Sequence, residues 1–168
     1  KTDTLRLLAA SLFQTIETDD YTFEPADEKK VNALNNNYRV VKPLAISSPA
    51  LGVEFFSVEH FKPEPFKELS EVKNQIVSLN LDKMPVIDED LKTISQFANL
   101  RKLNLSFTNI TGATLNELAK LKELKMLSLS GTKVKLSSLQ ALLTMPKLTK
   151  LFVWNTPLSP DDIKRLQQ

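Results

Sequence analysis

Cysteine is absent from the 168-residue sequence, and histidine occurs once, at His60. Without cysteine, these residues can form no disulfide, no thiolate metal site, no cysteine nucleophile and no CxxCH haem attachment. A single imidazole also excludes sites that need several histidines, and it leaves any Ser/His/Asp arrangement dependent on His60. We therefore expect no metal and no cofactor to be bound by these residues.

Glycine and long apolar runs are also scarce. The three glycines, Gly52, Gly112 and Gly131, form no phosphate-binding signature. The segment Leu5–Ile16 has helical apolar spacing but is interrupted by polar residues, and no apolar run approaches the roughly 18 residues of a membrane span. We expect no membrane contact by this chain itself. Because the sequence begins at Lys1 rather than Met, we expect a piece of a longer protein.

Charge is distributed unevenly along the chain. Residues 1–99 contain 11 Lys or Arg and 16 Asp or Glu, a net charge of −5, whereas residues 100–168 contain 11 and 4, a net charge of +7. The basic half raises nucleic acid as a partner, but its lysines fall in turns and connections and do not alternate with aromatic residues. A solvated basic rim is the better interpretation, and we predict no nucleic-acid binding.

Apolar residues recur with a period of 24 from residue 76 to the C-terminus. Within each period they first alternate, as in a strand with one buried face, and later recur every third residue, as in a helical turn. Each period is therefore predicted to be a strand, a turn and a helical segment. The predicted units are 76–99, 100–123, 124–147 and 148–168.

A unit of this length cannot bury its own apolar edge, so neighbouring units must stack. The predicted fold is an α/β solenoid, short and curved, with a parallel sheet on its concave face and helical segments on its convex face. Residues 1–75 are predicted to be an α+β capping region that shares the core. It would contain the helix in Leu5–Ile16, a short helix at Asp27–Leu34, strands at Tyr38–Val41 and Leu51–Phe55, and a degenerate unit around Phe66, Leu69 and Val72.

Two helix starts are predicted from capping residues. Asp88 precedes an acidic first turn, and Ser159 precedes proline and two aspartates, so both are predicted to be N-caps. Thr111 is predicted to play the same role less well in its own unit, because Gly112 and Ala113 follow it. The acidic stretch Asp82–Asp90 is interpreted as a helix start rather than a cation site.

Three units carry a family resemblance. The segments Leu103–Ile110, Leu127–Val134 and Leu151–Leu158 resemble the bacterial LxLxxTxI form of the leucine-rich repeat. The resemblance implies that the threonine hydroxyl of each segment bonds backbone groups at the bend after the strand. Met84 departs from this pattern, so the first bend should be less constrained.

A narrower resemblance involves Glu24–Glu28, Asn35–Val41 and the ending Val153–Thr156. Together with the repeats, these segments look like the C-terminal region of bacterial membrane-anchored proteins that carry a c-type cytochrome domain ahead of the repeats. This would imply an exported, extracytoplasmic parent with its haem domain upstream of Lys1. It would assign no haem to the residues present here.

Side chains between the buried leucines of the strands should point to the concave face, which repeat arrays commonly use for binding. Most are small or polar. The exceptions suggest anchors for a partner, because exposed aromatics beside a basic residue are typical of interfaces. The alternative is that they cover an open C-terminal end or pack against sequence of the parent. The predicted partner-binding residues are Lys102, Phe107, Lys150, Phe152 and Trp154.

These features favour a non-catalytic leucine-rich-repeat module for protein–protein or intramolecular domain interaction. One alternative is a structural spacer or lid for a neighbouring domain, which could be a cytochrome c. The remote alternative is an enzyme that uses Glu54, Glu59 or His60, the one place where acids and the imidazole lie close in sequence.

Overall fold

A computed structural model describes residues 21–61 and 66–166, and the helix predicted in Leu5–Ile16 lies outside these residues. The chain is a mixed α/β structure with one six-stranded sheet whose strands follow chain order. The strands are β1 (Arg39–Pro43), β2 (Leu51–Phe55), β3 (Ile76–Asn80), β4 (Lys102–Asn104), β5 (Met126–Ser128) and β6 (Lys150–Phe152). The α-helices are α1 (Glu28–Ala33), α2 (Leu91–Ile94), α3 (Leu136–Leu139) and α4 (Pro160–Leu166), and the 3-10 helices are Lys67–Val72, Asp88–Asp90, Leu115–Lys120 and Gln140–Thr144.

The strand pairing follows the sequence period. β1 and β2 are antiparallel, and every later pair in the described sheet is parallel. From β3 to β6, residues 24 apart lie opposite each other, as in the row Leu79, Leu103, Leu127 and Leu151. Between successive parallel strands, the chain passes through a helical segment. The strand and helical positions predicted from the apolar spacing are thus confirmed for these units.

One apolar core lies beneath the sheet. The inward leucines of the strands and the apolar residues of the helical segments are buried together, as at Leu103, Leu115 and Leu127. Complete burial of one such side chain stabilises the folded state by about 1.5–3 kcal/mol before cavity effects. Phe66, Leu69 and other residues before β3 belong to the same core.

A repeated bend follows each of the last four strands. Four residues at equivalent positions have positive φ, in the left-handed region that disfavours side chains with a Cβ. They are Lys83, Phe107, Gly131 and Asn155.

Threonine hydroxyls close three of these bends. Thr108 Oγ1 donates to the Leu105 carbonyl at 2.7 Å, and Thr132 Oγ1 donates to the Leu129 carbonyl at 2.6 Å. Thr156 Oγ1 makes the equivalent bond to Val153 at 2.7 Å. The hydroxyl role implied by the repeat motif is therefore confirmed. At the first bend, Met84 is buried and its amide donates to the Leu81 carbonyl at 3.1 Å.

The segment before β3 is tied to the sheet through β2. Asp27 caps α1 by accepting from the Lys30 amide at 3.0 Å, as expected for a short helix that begins there. The strand predicted from Tyr38 begins one residue later, at Arg39. Arg39 is buried and its guanidinium donates to Glu68 at 2.8 Å and to the Leu34 carbonyl at 2.9 Å, which satisfies a charge inside the fold.

The predicted N-cap role of Asp88 is wrong. The amide at the start of that 3-10 helix, Ile87 N–H, is bound by the Asp90 carboxylate at 3.0 Å, so the capping function falls two residues later. Asp88 instead accepts from the Thr111 amide and hydroxyl at 2.9 and 2.8 Å and from the Gly112 amide at 2.9 Å. Its carboxylate binds the adjacent unit because that unit presents more donors.

Thr111 is for the same reason not the N-cap of its own unit. Its hydroxyl is engaged with the preceding unit, and the 3-10 helix that follows begins after Thr114 without a side-chain cap. Ser159, by contrast, has its predicted role. Its hydroxyl accepts from the Asp162 amide at 3.1 Å, while the Asp162 carboxylate accepts from the Ser159 amide at 2.9 Å.

Candidate interaction face

The outer side of the sheet carries the side chains that alternate with the buried leucines. We use the term sheet face for the outward residues of the last four strands and the residue that follows each strand by two positions. These residues are Ser78, Asn80, Asp82, Lys102, Asn104, Ser106, Met126, Ser128, Ser130, Lys150, Phe152 and Trp154. Four of the five predicted site residues belong to the sheet face: Lys102, Lys150, Phe152 and Trp154. The fifth, Phe107, lies at the bend that follows β4.

A polar ladder crosses the middle of the sheet face. Asn104 Nδ2 donates to Asn80 Oδ1 at 3.0 Å, and Ser106 Oγ donates to Asn104 Oδ1 at 2.6 Å. The ladder continues to β5, because the Ser106 and Ser128 hydroxyls lie 2.7 Å apart. These bonds hold short side chains in fixed positions on a pleated surface. The polar side chains at the centre of the sheet face are therefore preorganised.

Phe107 and Trp154 meet at the carboxyl ends of the strands. Their ring centroids are 6.3 Å apart and the ring planes are inclined by 71°, an edge-to-face arrangement. Phe107 and Trp154 lie in the bends after β4 and β6, and Gly131 lies in the bend after β5, the strand between them. The Phe107 ring occupies the space that a Cβ on Gly131 would need. The absence of a side chain at Gly131 thus allows the two rings to approach across an intervening strand.

Large apolar side chains remain accessible here. Trp154 is 72% exposed, Phe152 is 46% exposed and Phe107 is 43% exposed. Trp154 and Phe107 therefore pack edge to face, and both side chains remain exposed to solvent. Exposed aromatics on a fixed surface are the usual anchors of protein interfaces.

A shallow depression of about 420 Å³ lies on the sheet face across β3, β4, β5 and β6. Lys102 and Phe152 both line it, with Met126 between them on β5. The predicted site residues thus fall into two groups on one surface. Lys102, Lys150 and Phe152 surround Met126, whereas Phe107 and Trp154 form the aromatic pair at the other end of the strands.

Carboxylates in the basic half of the chain are engaged away from the sheet face. Glu117 pairs with Lys120 at 2.6 Å, Glu123 with Lys147 at 2.7 Å, and Asp161 with Lys164 at 3.6 Å. The fourth acid, Asp162, is held by Ser159, whose hydrogen bonds lower the pKa of that carboxyl. The part of the sheet face formed by β4, β5 and β6 presents Lys102 and Lys150 and no acidic side chain.

Sequence reasoning missed the role of Asp88. Burial by itself raises the pKa of the Asp88 carboxyl, but the hydrogen bonds from Thr111 and from the Gly112 backbone outweigh it and leave the pKa lowered. Asp88 and Gly112 are 24 residues apart, so the repeat register could have placed them side by side. No feature of the sequence indicated whether Asp88 would cap its own helix or bond to the next unit.

The acids and imidazole of the remote enzymatic alternative are exposed. His60 Nδ1 lies 3.0 Å from the Ser57 hydroxyl, and Glu54 and Glu59 are also at the surface. Across residues 21–61 and 66–166, no group of three or more His, Asp or Glu side chains is placed to hold a metal ion. In the same ranges, no helix has the length and apolarity to cross a membrane.

The last unit buries its apolar residues less completely than its neighbours do. Leu151 and Val153 are partly exposed, whereas their counterparts Leu127 and Leu129 are fully buried. Ile163, on α4, is 38% exposed. The side of β6 that faces away from β5 has no described strand against it. An apolar edge is therefore accessible next to the aromatic pair.

No protein-family model matches the sequence, and no curated protein matches it. Among solved structures, the chain is similar to an internalin from Listeria monocytogenes, with 15% sequence identity and a TM-score of 0.39. The similarity covers 55% of this chain and 32% of that protein, so the chain spans about a third of the internalin's length. A likeness this distant assigns neither a family nor a partner.

Proposed function

We propose that the chain is a non-catalytic leucine-rich-repeat module that binds a protein, or another domain of its own parent chain, through the sheet face. In this proposal the units 76–99, 100–123, 124–147 and 148–168 form a short curved solenoid of the bacterial LxLxxTxI class. The sheet face is its concave surface, and residues 1–75 cap its first end. An extracytoplasmic parent belongs to the same proposal, through the resemblance to membrane-anchored proteins.

The observation that carries this proposal is the cluster of exposed aromatics on the sheet face and at the bend beside it. Burying Phe107, Phe152 and Trp154 against a partner would remove more apolar surface from water than any other group of outward side chains on these strands. Trp is also the residue most enriched at positions where truncation costs large amounts of binding energy. Phe152 lies on β6, and Phe107 and Trp154 lie in the short bends directly after β4 and β6, so this group loses less conformational freedom on binding than one on a long loop would.

The polar ladder supports the same interpretation. The amides of Asn80 and Asn104 and the hydroxyl of Ser106 already hydrogen bond to one another. A partner would therefore meet a surface that needs no rearrangement. A catalytic surface would instead need a positioned base or nucleophile with a perturbed environment. The polar side chains at the centre of the sheet face are amides and hydroxyls that hydrogen bond to one another, which favours recognition over chemistry.

The test is a comparison of two truncations at exposed apolar positions. A partner is captured by a photo-reactive residue placed at Ser128, and its affinity is measured for the wild type, for Phe152→Ala with Trp154→Ala, and for Leu143→Ala. Leu143 is 57% exposed and lies on the 3-10 helix Gln140–Thr144, away from the strands. We expect the double variant to lose at least about 30-fold in affinity, because anchors of this type contribute about 2 kcal/mol or more. Equal affinity of the double variant and wild type would refute the site.

A second candidate is favoured by the accessible apolar edge of the last unit. The chain would then be a spacer or lid, with a neighbouring domain of the parent packed against β6 and α4. In the full-length parent, cross-linkers placed at Ile163 and at Ser128 would separate the two functions. Links from Ile163 to another domain, with a sheet face that stays reactive toward other proteins, would support both roles. Links from Ser128 to a domain of the parent would support binding through the sheet face, whereas links from Ile163 alone would favour the lid.

A further inference from the structure

The charge of the sheet face is of one sign where the aromatics lie. Lys102 and Lys150 point outward from β4 and β6, with Met126 between them on β5. The outward residues of these three strands include no carboxylate. Several lysines elsewhere are matched within the chain, including Lys120 and Lys147. The part of the sheet face on β4 to β6 thus places a positive charge on either side of Met126 and contains no carboxylate to neutralise them.

Strand spacing sets the distance between the two cations. Neighbouring strands lie about 4.8 Å apart, so the backbones at Lys102 and Lys150 are separated by about 10 Å. Side chains that share one side of an extended peptide are about 6.6 Å apart for residues i and i+2, and about 13 Å apart for i and i+4. The flexible stems of two lysines accommodate the longer of these spans.

We propose that the sheet face recognises an extended acidic peptide segment of the form acid–x–apolar–x–acid. This inference rests on the proposed function and adds the chemistry of the partner. The two carboxylates pair with Lys102 and Lys150. The apolar side chain between them covers Met126 and contacts Phe152, which line the same depression. The segment crosses the strands instead of extending the sheet, so it uses side chains and not the edge of β6.

A peptide fits this surface better than a nucleic acid does. A phosphate backbone gains affinity in proportion to the number of cations along its track. The sheet face of β4 to β6 offers two lysines, and Lys120 and Lys147, away from this face, are held by carboxylates of the chain. The two lysines that flank Met126 match two carboxylates that flank an apolar side chain of the peptide. Nucleic acid is therefore an outcome that the experiment must be able to detect.

The experiment selects ligands from a phage-displayed library of random 12-residue peptides. Selection is run on the whole 168-residue chain, on Lys102→Glu with Lys150→Glu, and on the control Lys133→Glu with Lys135→Glu. The control changes the net charge equally, at exposed lysines in the connection after β5. Synthetic versions of the enriched peptides are then titrated, as are versions with Gln for Glu and Asn for Asp. A fluorescent 16-nucleotide oligothymidine is titrated alongside them.

We expect the wild type and the control to enrich peptides with two acids four residues apart around an apolar residue. The Lys102→Glu, Lys150→Glu variant should bind these peptides at least about tenfold more weakly, because attraction becomes repulsion at both positions. Neutral amide versions should weaken to a similar degree, and the difference should shrink in high salt.

Three results would overturn the inference. Enriched peptides without an acidic excess that still lose affinity in Phe152→Ala with Trp154→Ala would leave the binding face valid and the acidic partner wrong. Oligothymidine that binds more tightly than every peptide and depends on Lys102 and Lys150 would assign the charge to nucleic acid. The absence of any peptide sensitive to the two lysines would also overturn it, while the proposed function is decided separately by its cross-linking test.

Discussion

Two regions of the sheet have the same sequence pattern and different surroundings. The segment 100–147, which contributes β4 and β5, has a neighbouring strand on each side, whereas the segment 148–166, which contributes β6, has a described neighbour on one side. Leu127 is accordingly buried and Leu151 is partly exposed, although they occupy equivalent positions. The pattern therefore specifies which side chains point inward, while the next strand determines how completely they are buried.

The largest expected effect concerns the inward leucines. Leu127→Ala leaves a cavity in a core covered on both sides and should lower the free energy of unfolding by about 2–5 kcal/mol. Leu151→Ala removes the same atoms from a site that solvent partly reaches, and should cost about half as much. Urea unfolding monitored by circular dichroism measures both. Equal losses at the two positions would mean that the end of the sheet is as well packed as its centre.

Asp88 provides the next test, because it joins two neighbouring segments. Asp88→Ala leaves the Thr111 and Gly112 donors without their acceptor and should cost about 1–3 kcal/mol. The matched control is Asp162→Ala, whose carboxylate lies at the exposed end of the chain and should matter less. Thermal unfolding of the two variants gives the comparison.

The same carboxylate predicts a pH dependence. The folded pKa of Asp88 is lowered, so its contribution is fully present above its unfolded pKa of about 3.9 and is lost as the pH falls through the folded value. Stability of the wild type should therefore decline below about pH 4 more steeply than that of Asp88→Asn. An equal loss of stability with falling pH in the two proteins would contradict this assignment.

The bends allow a smaller effect to be measured. Gly131 and Asn155 both have positive φ, of 70° and 55°. Asn155 already has a side chain, whereas at Gly131 the Phe107 ring occupies the space that a Cβ would need. Gly131→Ala should cost about 1–2 kcal/mol from backbone strain, with a further loss from displacement of the ring. Asn155→Ala should cost less. Because Phe107 contacts Trp154, a shift of tryptophan fluorescence in Gly131→Ala alone would report the separated rings.

Ser159 should give the smallest effect. It caps α4 in the less buried segment, and Ser159→Ala removes one hydroxyl that accepts from the Asp162 amide. The expected loss is about 1 kcal/mol, typical of N-cap truncations. Ser159→Thr keeps the oxygen and should restore most of the loss. A larger effect than that of Asp88→Ala would reverse the ranking of centre and end.

Much of the fold was predictable from the 24-residue period. Strand positions and inward leucines follow from a pattern repeated at fixed spacing, because equivalent residues occupy equivalent places. The bonds of Thr108 and Thr132 were implied by the resemblance to the leucine-rich repeat. Ser159 was predictable because its partner Asp162 lies three residues away in the sequence. Local features of this type need no knowledge of the neighbouring segment.

Contacts between segments were harder to predict. Asp88 had a plausible partner within its own helix and a better one in the next segment, and sequence spacing alone did not rank them. The pair of Phe107 and Trp154 spans two strands and depends on the missing side chain of Gly131. The predicted site residues were read from alternation along each strand, which says nothing about rings that meet across strands.

The Asp88 contact also limits how the chain could be rearranged. At the position of Asp88, the following segments have Gly112 and Leu136, so each junction uses different chemistry. The first junction joins a carboxylate to Thr111 and Gly112, whereas at the second Gly112 lies close against Ser138. If the segments were exchanged, the Asp88 carboxylate would lose its donors at one junction, and a side chain in place of Gly112 would collide with Ser138 at another. Although the spacing is uniform, the contacts at each junction determine the order in which the segments can stack.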